Sequence, residues 1–231
     1  MLGTIVNALA ILGGSLLGLL FSKGIADNYK EIILSGVGLS VLLIGVKSAL
    51  VSNDLMVVIF SVIIGALLGE WWQIEKKLEA LGAFLEKKVT TKSSDTKSFA
   101  RGFVTASLVF CVGSMAIVGS LESGLTGNHQ TLFAKSVLDG VTSVIFASAM
   151  GLGVMFSAAA VFLYQGLITI TAVFMKSFLV PETIAQMTSV GGLLIMAIGM
   201  NMLKITAIRV GNLLPAIFLP LAYFAFRHWF F

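Results

Sequence analysis

From Gly140 to Met175 the chain carries no charged side chain. A helix rises about 1.5 Å per residue and the hydrocarbon of a bilayer is roughly 30 Å thick, so one crossing takes about 20 residues. The run is too long for one crossing and just long enough for two. It predicts two membrane helices that break near Gly151 and Gly153, with Ser157 placed to cap the second. Similar apolar runs recur from end to end. Only 11% of the residues are charged, against about 25% in a typical soluble domain. Together these features predict an all-α, polytopic transmembrane helix bundle, with residues 1–231 forming a single integral membrane domain.

The net charge of +4 reflects basic residues gathered in one loop, which speaks to membrane topology and against a nucleic-acid partner. The single cysteine, Cys111, lies in an apolar run and cannot form an intrachain disulfide. The first apolar run has no basic residues before it, so it reads as a retained helix and not as a signal peptide.

The expected helices run over Gly3–Phe21, Ile32–Leu50, Leu55–Trp72, Gly102–Leu121, Lys135–Gly153, Ser157–Lys176, Glu182–Leu203 and Val210–Phe226. That is about eight passes, with seven as the alternative and Gly140–Gly153 as a candidate re-entrant segment. Pro215 and Pro220 should kink the last helix. Gly14-xxx-Gly18 and Gly65-xxx-Gly69 place small residues one turn apart, where helix backbones can meet closely. Trp71 and Trp72 fall where an interfacial belt would lie.

Residues 73–101 form the only long polar segment. Ile74, Leu78, Leu81, Leu85 and Val89 keep helical spacing among Lys and Glu, which predicts an amphipathic surface helix. Thr90–Ser98 reads as a loop. Lys76, Lys77, Lys87, Lys88, Lys92, Lys97 and Arg101 place this linker in the cytoplasm, with the N-terminus outside.

Offsetting the chain by 153 or 154 residues aligns Gly13 with Gly166, Ser35 with Ser189, Gly38 with Gly192 and Gly45 with Gly199. Residues 1–72 and 154–226 therefore form a candidate repeat. With eight passes the two copies have opposite orientation, an architecture frequent in secondary transporters.

Polar groups within apolar runs are costly unless partnered and are read first as functional. Ser15, Ser114, Ser148 and Gln165 fall near mid-helix. Asn7, Asp54, Glu122, Asp139, Thr142 and Ser143 fall toward the outer end. Glu70, Asn201, Lys204, Arg209 and Asn212 fall toward the inner end, where Glu70 should pair with Arg209 or Lys204. Glu122 and Asp139 flank one predicted loop, Glu122–Phe133, so their carboxylates could meet as hard ligands for a small cation or a proton. Gln165 could coordinate a permeant or tie two helices together. Enzyme signatures are absent from the sequence: no Gly-x-Ser-x-Gly, His-Glu-x-x-His or Walker A loop occurs. The chain is therefore read as a non-enzyme with no cofactor and with the metal, if any, undefined.

Several stretches carry a resemblance. CVGSMAIVGSLESGLTGN (Cys111–Asn128), LFAKSVLDG (Leu132–Gly140), FASAMGLGVMFSA (Phe146–Ala158), LYQG (Leu163–Gly166), VGGLLIMAIGMNML (Val190–Leu203), RVGNLLPA (Arg209–Ala216) and GALLGEWWQIEKKLEALG (Gly65–Gly82) resemble the YqgA/YdfK family of prokaryotic membrane proteins, over essentially the whole chain. That family has been described as a candidate sodium channel or pump and linked to biofilm formation, without established site residues. The resemblance thus implies a small-cation or small-solute channel or secondary transporter. A non-transporting scaffold or regulator of the envelope is the alternative. Within its motifs the candidate permeant-binding residues are Ser114, Glu122, Asp139, Gln165, Asn201 and Asn212, and Asn7 joins them from helix 1. The expected partners are the lipid bilayer, a small cation and other copies of the chain.

Overall fold

The computed structural model describes residues 1–22, 27–78, 80, 96–112, 114–176 and 178–230. At 22, 27, 28, 30, 96–98, 114 and 228–230 it describes the backbone alone. The described elements are α1 (Leu2–Ser22), α2 (Asp27–Ala49), α3 (Leu55–Trp72), α4 (Thr96–Cys111), α5 (Ser114–Leu125), α6 (Gln130–Met150), α7 (Gly153–Ile170), the one-turn α8 (Ala172–Met175) and α9 (Pro181–Met202). A 3₁₀ helix (Val210–Phe218) and α10 (Leu219–Phe230) close the chain. No strand occurs among the described residues. A bilayer core offers nothing to bond an open backbone, so helices satisfy it within each segment.

Glycine seams bring these helices together. A β-carbon on Gly14 would collide with the Gly140 carbonyl and the Ser143 hydroxyl, and one on Gly18 with the Val144 carbonyl. Gly3 sits against Leu132, so α1 and α6 run in the same direction. Gly38 lies on Leu203, Gly45 on Met196, Gly199 on Leu42 and Gly192 on Ala49, so α2 and α9 are antiparallel. Gly65 meets Ala216 and Gly69 meets Asn212, which pairs α3 antiparallel with the 3₁₀ helix. Leu9, Leu16 and Leu20 of α1 and Leu163, Leu167 and Ile170 of α7 stay exposed, as lipid-facing side chains should.

The expected straight helix over Gly102–Leu121 is instead two helices, α4 and α5, bent by 60°. Seven other helices are each long and apolar enough to cross a membrane, and the bent pair makes up to eight. The packing decides how the pair counts. Phe99 lies against Gly153 at one end of α7, and Gly124 lies against Thr169 at the other. Together α4 and α5 therefore flank α7 along its length. Direction agrees: α6 runs with α1 only if an odd-numbered crossing, the fifth, falls on α6. A dip and return at α4–α5 would reverse it. Read as one broken span, the bent pair brings the candidate crossings among the described residues to eight.

Three expectations change. Gly140–Gly153 is not re-entrant, because α6 is continuous from Gln130 to Met150. The outer loop shrinks from Glu122–Phe133 to the few residues between Leu125 and Gln130. Ser157 caps nothing: α7 already starts at Gly153, and the Ser157 hydroxyl donates to the Val154 carbonyl. The last span is distorted as its prolines require. Pro215 lies within the 3₁₀ helix and Pro220 in the first turn of α10, where its missing N–H costs nothing. Of the proposed surface helix, residues 74–78 are helical beyond a left-handed Gln73 (φ 51°). Leu81, Leu85, Val89 and residues 90–95 of the expected loop lie outside the described residues, and the rest of that loop, Thr96–Ser98, is instead the start of α4.

An even number of crossings leaves both termini on one side. Reporter fusions after Met1 and at Phe231 should report the same compartment, and fusions between Leu203 and Arg209 the other one. Gly14→Val should cost about 1–3 kcal/mol by overpacking a backbone seam, read as a lower Tm in detergent. Gly13→Val, where nothing lies within 4 Å, should leave Tm nearly unchanged.

Candidate functional site

Lys135 and Asp139 stand one turn apart on α6, so their side chains share a face. Lys135 Nζ donates to both carboxylate oxygens of Asp139, at 2.9 and 2.8 Å. Each side chain is only 8% exposed. Asp139 lies about 13 Å into α6, near its middle. The α1–α6 seam lets a third group reach the pair: Asn7 Nδ2 donates to Asp139 Oδ2 at 3.0 Å. The amide oxygen of Asn7 then has no partner among the described residues, although the residue is fully buried.

The facing helix adds more oxygen. The Thr4 and Thr169 hydroxyls lie 3.5 Å apart, joining α1 to α7. These helices are antiparallel, since the far end of α1 lies beside the end of α6 where α7 begins. Asn7 and Gln165 are each about one turn further in from the two threonines, hence at the same depth. Gln165 is fully buried, and both atoms of its amide lack a partner among the described residues. A buried amide normally has its bonds filled, and each gap costs about 1–3 kcal/mol. Continuing along the two helices places Ser15 level with Ser157, both fully buried, with the Ser15 hydroxyl unpartnered.

The break in the bent span closes the region. Cys111, the last residue of α4, is within electrostatic reach of both Lys135 and Asp139, and Tyr164 within reach of Cys111. No cluster of three His, Cys, Asp or Glu occurs among the described residues, so one carboxylate supplies the only formal negative charge here.

Two cavities lead toward this region from the linker end. One of about 360 Å³ is bordered by Glu75, Arg101, Thr105, Asn201, Thr206 and Arg209. A second of about 210 Å³, between Ser107, Cys111, Ala160, Tyr164 and Ile217, is almost wholly apolar. They share Leu78 and Val104, so the polar cavity and the oily one bordered by Cys111 are neighbours.

The sequence-derived candidates divide accordingly. Asn7 and Asp139 are in contact, and Gln165 is level with them. Asp139 is not at the outer rim as expected, because α6 begins five residues earlier than the apolar run suggested. Glu122 does not converge with it: Glu122 accepts a bond from Thr131 at 2.7 Å, two turns above Asp139. The Ser114 side chain lies outside the described residues. Asn201 and Asn212 are at the other end and fasten loops. Asn201 holds Thr206 and both the N–H and carbonyl of Ile208. Asn212 donates to Glu70 and accepts from the Glu75 N–H. Glu70 pairs with Arg209 at 2.8 Å, as the sequence predicts, while Lys204 pairs with Glu31. Lys135, Thr4 and Thr169 were not among the candidates. The Lys-x-x-x-Asp spacing within an apolar run is the signal that marks Lys135.

Removing one member of a buried pair strands the other charge, at a cost of about 3–5 kcal/mol. Lys135→Met and Asp139→Leu should each lower Tm strongly. The double variant should recover most of the loss, because two apolar side chains leave no orphan.

A family model described as "Protein of unknown function (DUF554)" matches residues 2–225. The uncharacterised membrane protein YdfK of Bacillus subtilis (strain 168) is 34% identical over 224 residues, which cover 95% of this chain and 94% of the relative. The uncharacterised protein YqgA of Escherichia coli (strain K12) is 30% identical over 222 residues, covering 95% and 94% respectively. No solved structure matches. With the match running almost from end to end and the helices long enough to cross a bilayer, the chain is a polytopic membrane protein of the DUF554 family.

Proposed function

We propose that the chain moves a small monovalent cation, sodium being the probe of choice, across a bacterial inner membrane. The observation that carries this reading is the group made by Asp139, Asn7 and Gln165. It is one buried carboxylate bonded to Asn7, whose amide oxygen is unfilled among the described residues, with the unfilled Gln165 amide at the same depth on the facing helix. Oxygen donors of this kind suit hard cations. A single carboxylate matches a single positive charge.

The orientation fits the positive-inside rule. Eight crossings gather Lys204, Arg209, Arg101 and the linker lysines at one end, leaving Lys47, Lys176 and Arg227 at the other. The linker is then cytoplasmic and both termini are outside.

An inverted repeat supports the same reading. Under an offset of 153–154 residues, the contact of Gly38 with Leu203 maps onto that of Gly192 with Ala49, and Gly45 with Met196 maps onto Gly199 with Leu42. Thr4 and Thr169 map onto Ser157 and Ser15. The α2–α9 seam therefore reads the same from either copy. Transporters built this way rock one copy against the other around a shared site.

In liposomes containing the purified chain, an imposed sodium gradient should drive ²²Na⁺ uptake. Asp139→Asn should reduce uptake at least about tenfold, since the site loses its only negative charge. Asn201→Ala, placed in a loop clasp, should not. Uptake equal to that of empty liposomes rejects transport, and a protein that then co-purifies stably with this chain would favour the scaffold reading.

A further inference from the structure

We propose that Lys135 is a tethered cation that occupies the permeant's place, and that Glu122 is the second seat to which it moves when the permeant binds. The proposal rests on the cation reading above and adds a mechanism of admission to it.

Lys135 Nζ is held almost equally by the two oxygens of Asp139. That position, between both oxygens, is the one a small cation would take. Two positive charges cannot share one carboxylate in a low-dielectric interior without strong repulsion. The permeant therefore reaches Asp139 only as the ammonium leaves.

A seat is available one turn outward. Thr131 precedes Lys135 by four residues, on the same face of α6. The Thr131 hydroxyl donates to Glu122 Oε2 at 2.7 Å, which brings that carboxylate to the turn above Lys135. Glu122 is half-buried at the end of α5, and no cation pairs with it among the described residues. The swing follows the natural lean of a helical side chain. Side chains on a helix point toward its N-terminus, whereas Lys135 now reaches the opposite way, toward residue 139. Its four-carbon stem spans one turn in either direction.

Nothing else nearby offers a competing seat. Between Leu2 and Ser22, α1 contains no ionisable side chain. From α4, Cys111 is the ionisable group within electrostatic reach of the pair among the described residues, and Tyr164 of α7 interacts with Cys111 and not with the pair. His129 is engaged with Ser123 at 2.9 Å. In the swung state Lys135 pairs with Glu122, the permeant pairs with Asp139, and no charge is left alone. Asn7 Oδ1 and the Gln165 amide, idle while the ammonium is in place, then have a cation to address.

The test is equilibrium ²²Na⁺ binding to the full chain in nanodiscs, in a double-mutant cycle of Lys135→Met and Glu122→Gln, with Lys135→Arg as a charge-keeping control. Lys135→Met should tighten sodium binding about tenfold or more, because the competitor is gone. Glu122→Gln should weaken binding several-fold in the native background and have no effect beside Lys135→Met. Lys135→Arg should weaken it, since a guanidinium grips both oxygens of a carboxylate. An equal effect of Glu122→Gln in both backgrounds overturns the second seat. Should Lys135→Met not fold, unchanged binding in Lys135→Arg and Glu122→Gln overturns it as well. Sodium bound with no dependence on either residue leaves the cation reading standing and rejects the swing. Absence of binding in every folded form rejects both.

Discussion

Backbone contact between α1 and α6 is what the rest of the site depends on. An Asn side chain is short. Asn7 reaches Asp139 only because Gly14 and Gly18 bring α1 onto the carbonyls of Gly140 and Val144. In lipid there is no hydrophobic drive between helices, so such close approach and the polar bonds it permits are the main source of association. The seam and the charge pair therefore support each other. The seam positions the amide, and the amide and lysine together offset the desolvation of a carboxylate that would otherwise be intolerable at that depth.

The same device recurs through the bundle with different consequences. Along α2 and α9 the glycines Gly38, Gly45, Gly192 and Gly199 make a seam with no charge in it, suited to packing alone. Along α3 and the 3₁₀ helix, Gly69 meets the backbone of Asn212. That leaves the Asn212 side chain free to bind Glu70 and the Glu75 N–H, so the start of the linker is stitched to the last span. One motif, a small residue every fourth position, thus builds a site in one place and a clasp in another. The difference lies in which polar side chain is the neighbour.

Most of the architecture could be read from residue order. Apolar length located the spans, and Gly14-xxx-Gly18 and Gly65-xxx-Gly69 located two of the seams. What could not be read were the ends and the breaks. Hydropathy treats a lysine as a terminus, which puts Lys135 at the edge of a helix and Asp139 outward with it. Lys135 is made tolerable by Asp139 four residues ahead, and Asp139 in turn by Asn7 a helix away, and neither bond is visible to a window average. The bend at Cys111–Ser114 was missed for the opposite reason. Its flanks are uniformly apolar, and only packing against α7 on one side and Val112 against Gly191 on the other requires the chain to turn there. Asn201 and Asn212 looked like Asn7 in sequence. Only the fold separates an asparagine whose amide is fully used from one whose oxygen is left open.

The proposed symmetry also shows where the two copies differ, and that difference bears on mechanism. Offset by 153 residues, Asn7 corresponds to Ala160, which borders the apolar cavity together with Ser107 and Cys111. The place that is polar and charged between α1 and α6 is thus oily and partly empty between α7 and α4. A bundle with identical copies would have equal energy in its two exchanged arrangements. If the copies exchange as proposed, the arrangement that closes the charged side onto Lys135 is favoured by the ion pair, and the opposite one must be stabilised by something entering in the lysine's place. A ligand shifts such an equilibrium only by the difference in its affinity for the two states. Asp139 is well placed to supply that difference, because its second partner can be either the tethered ammonium or a mobile cation.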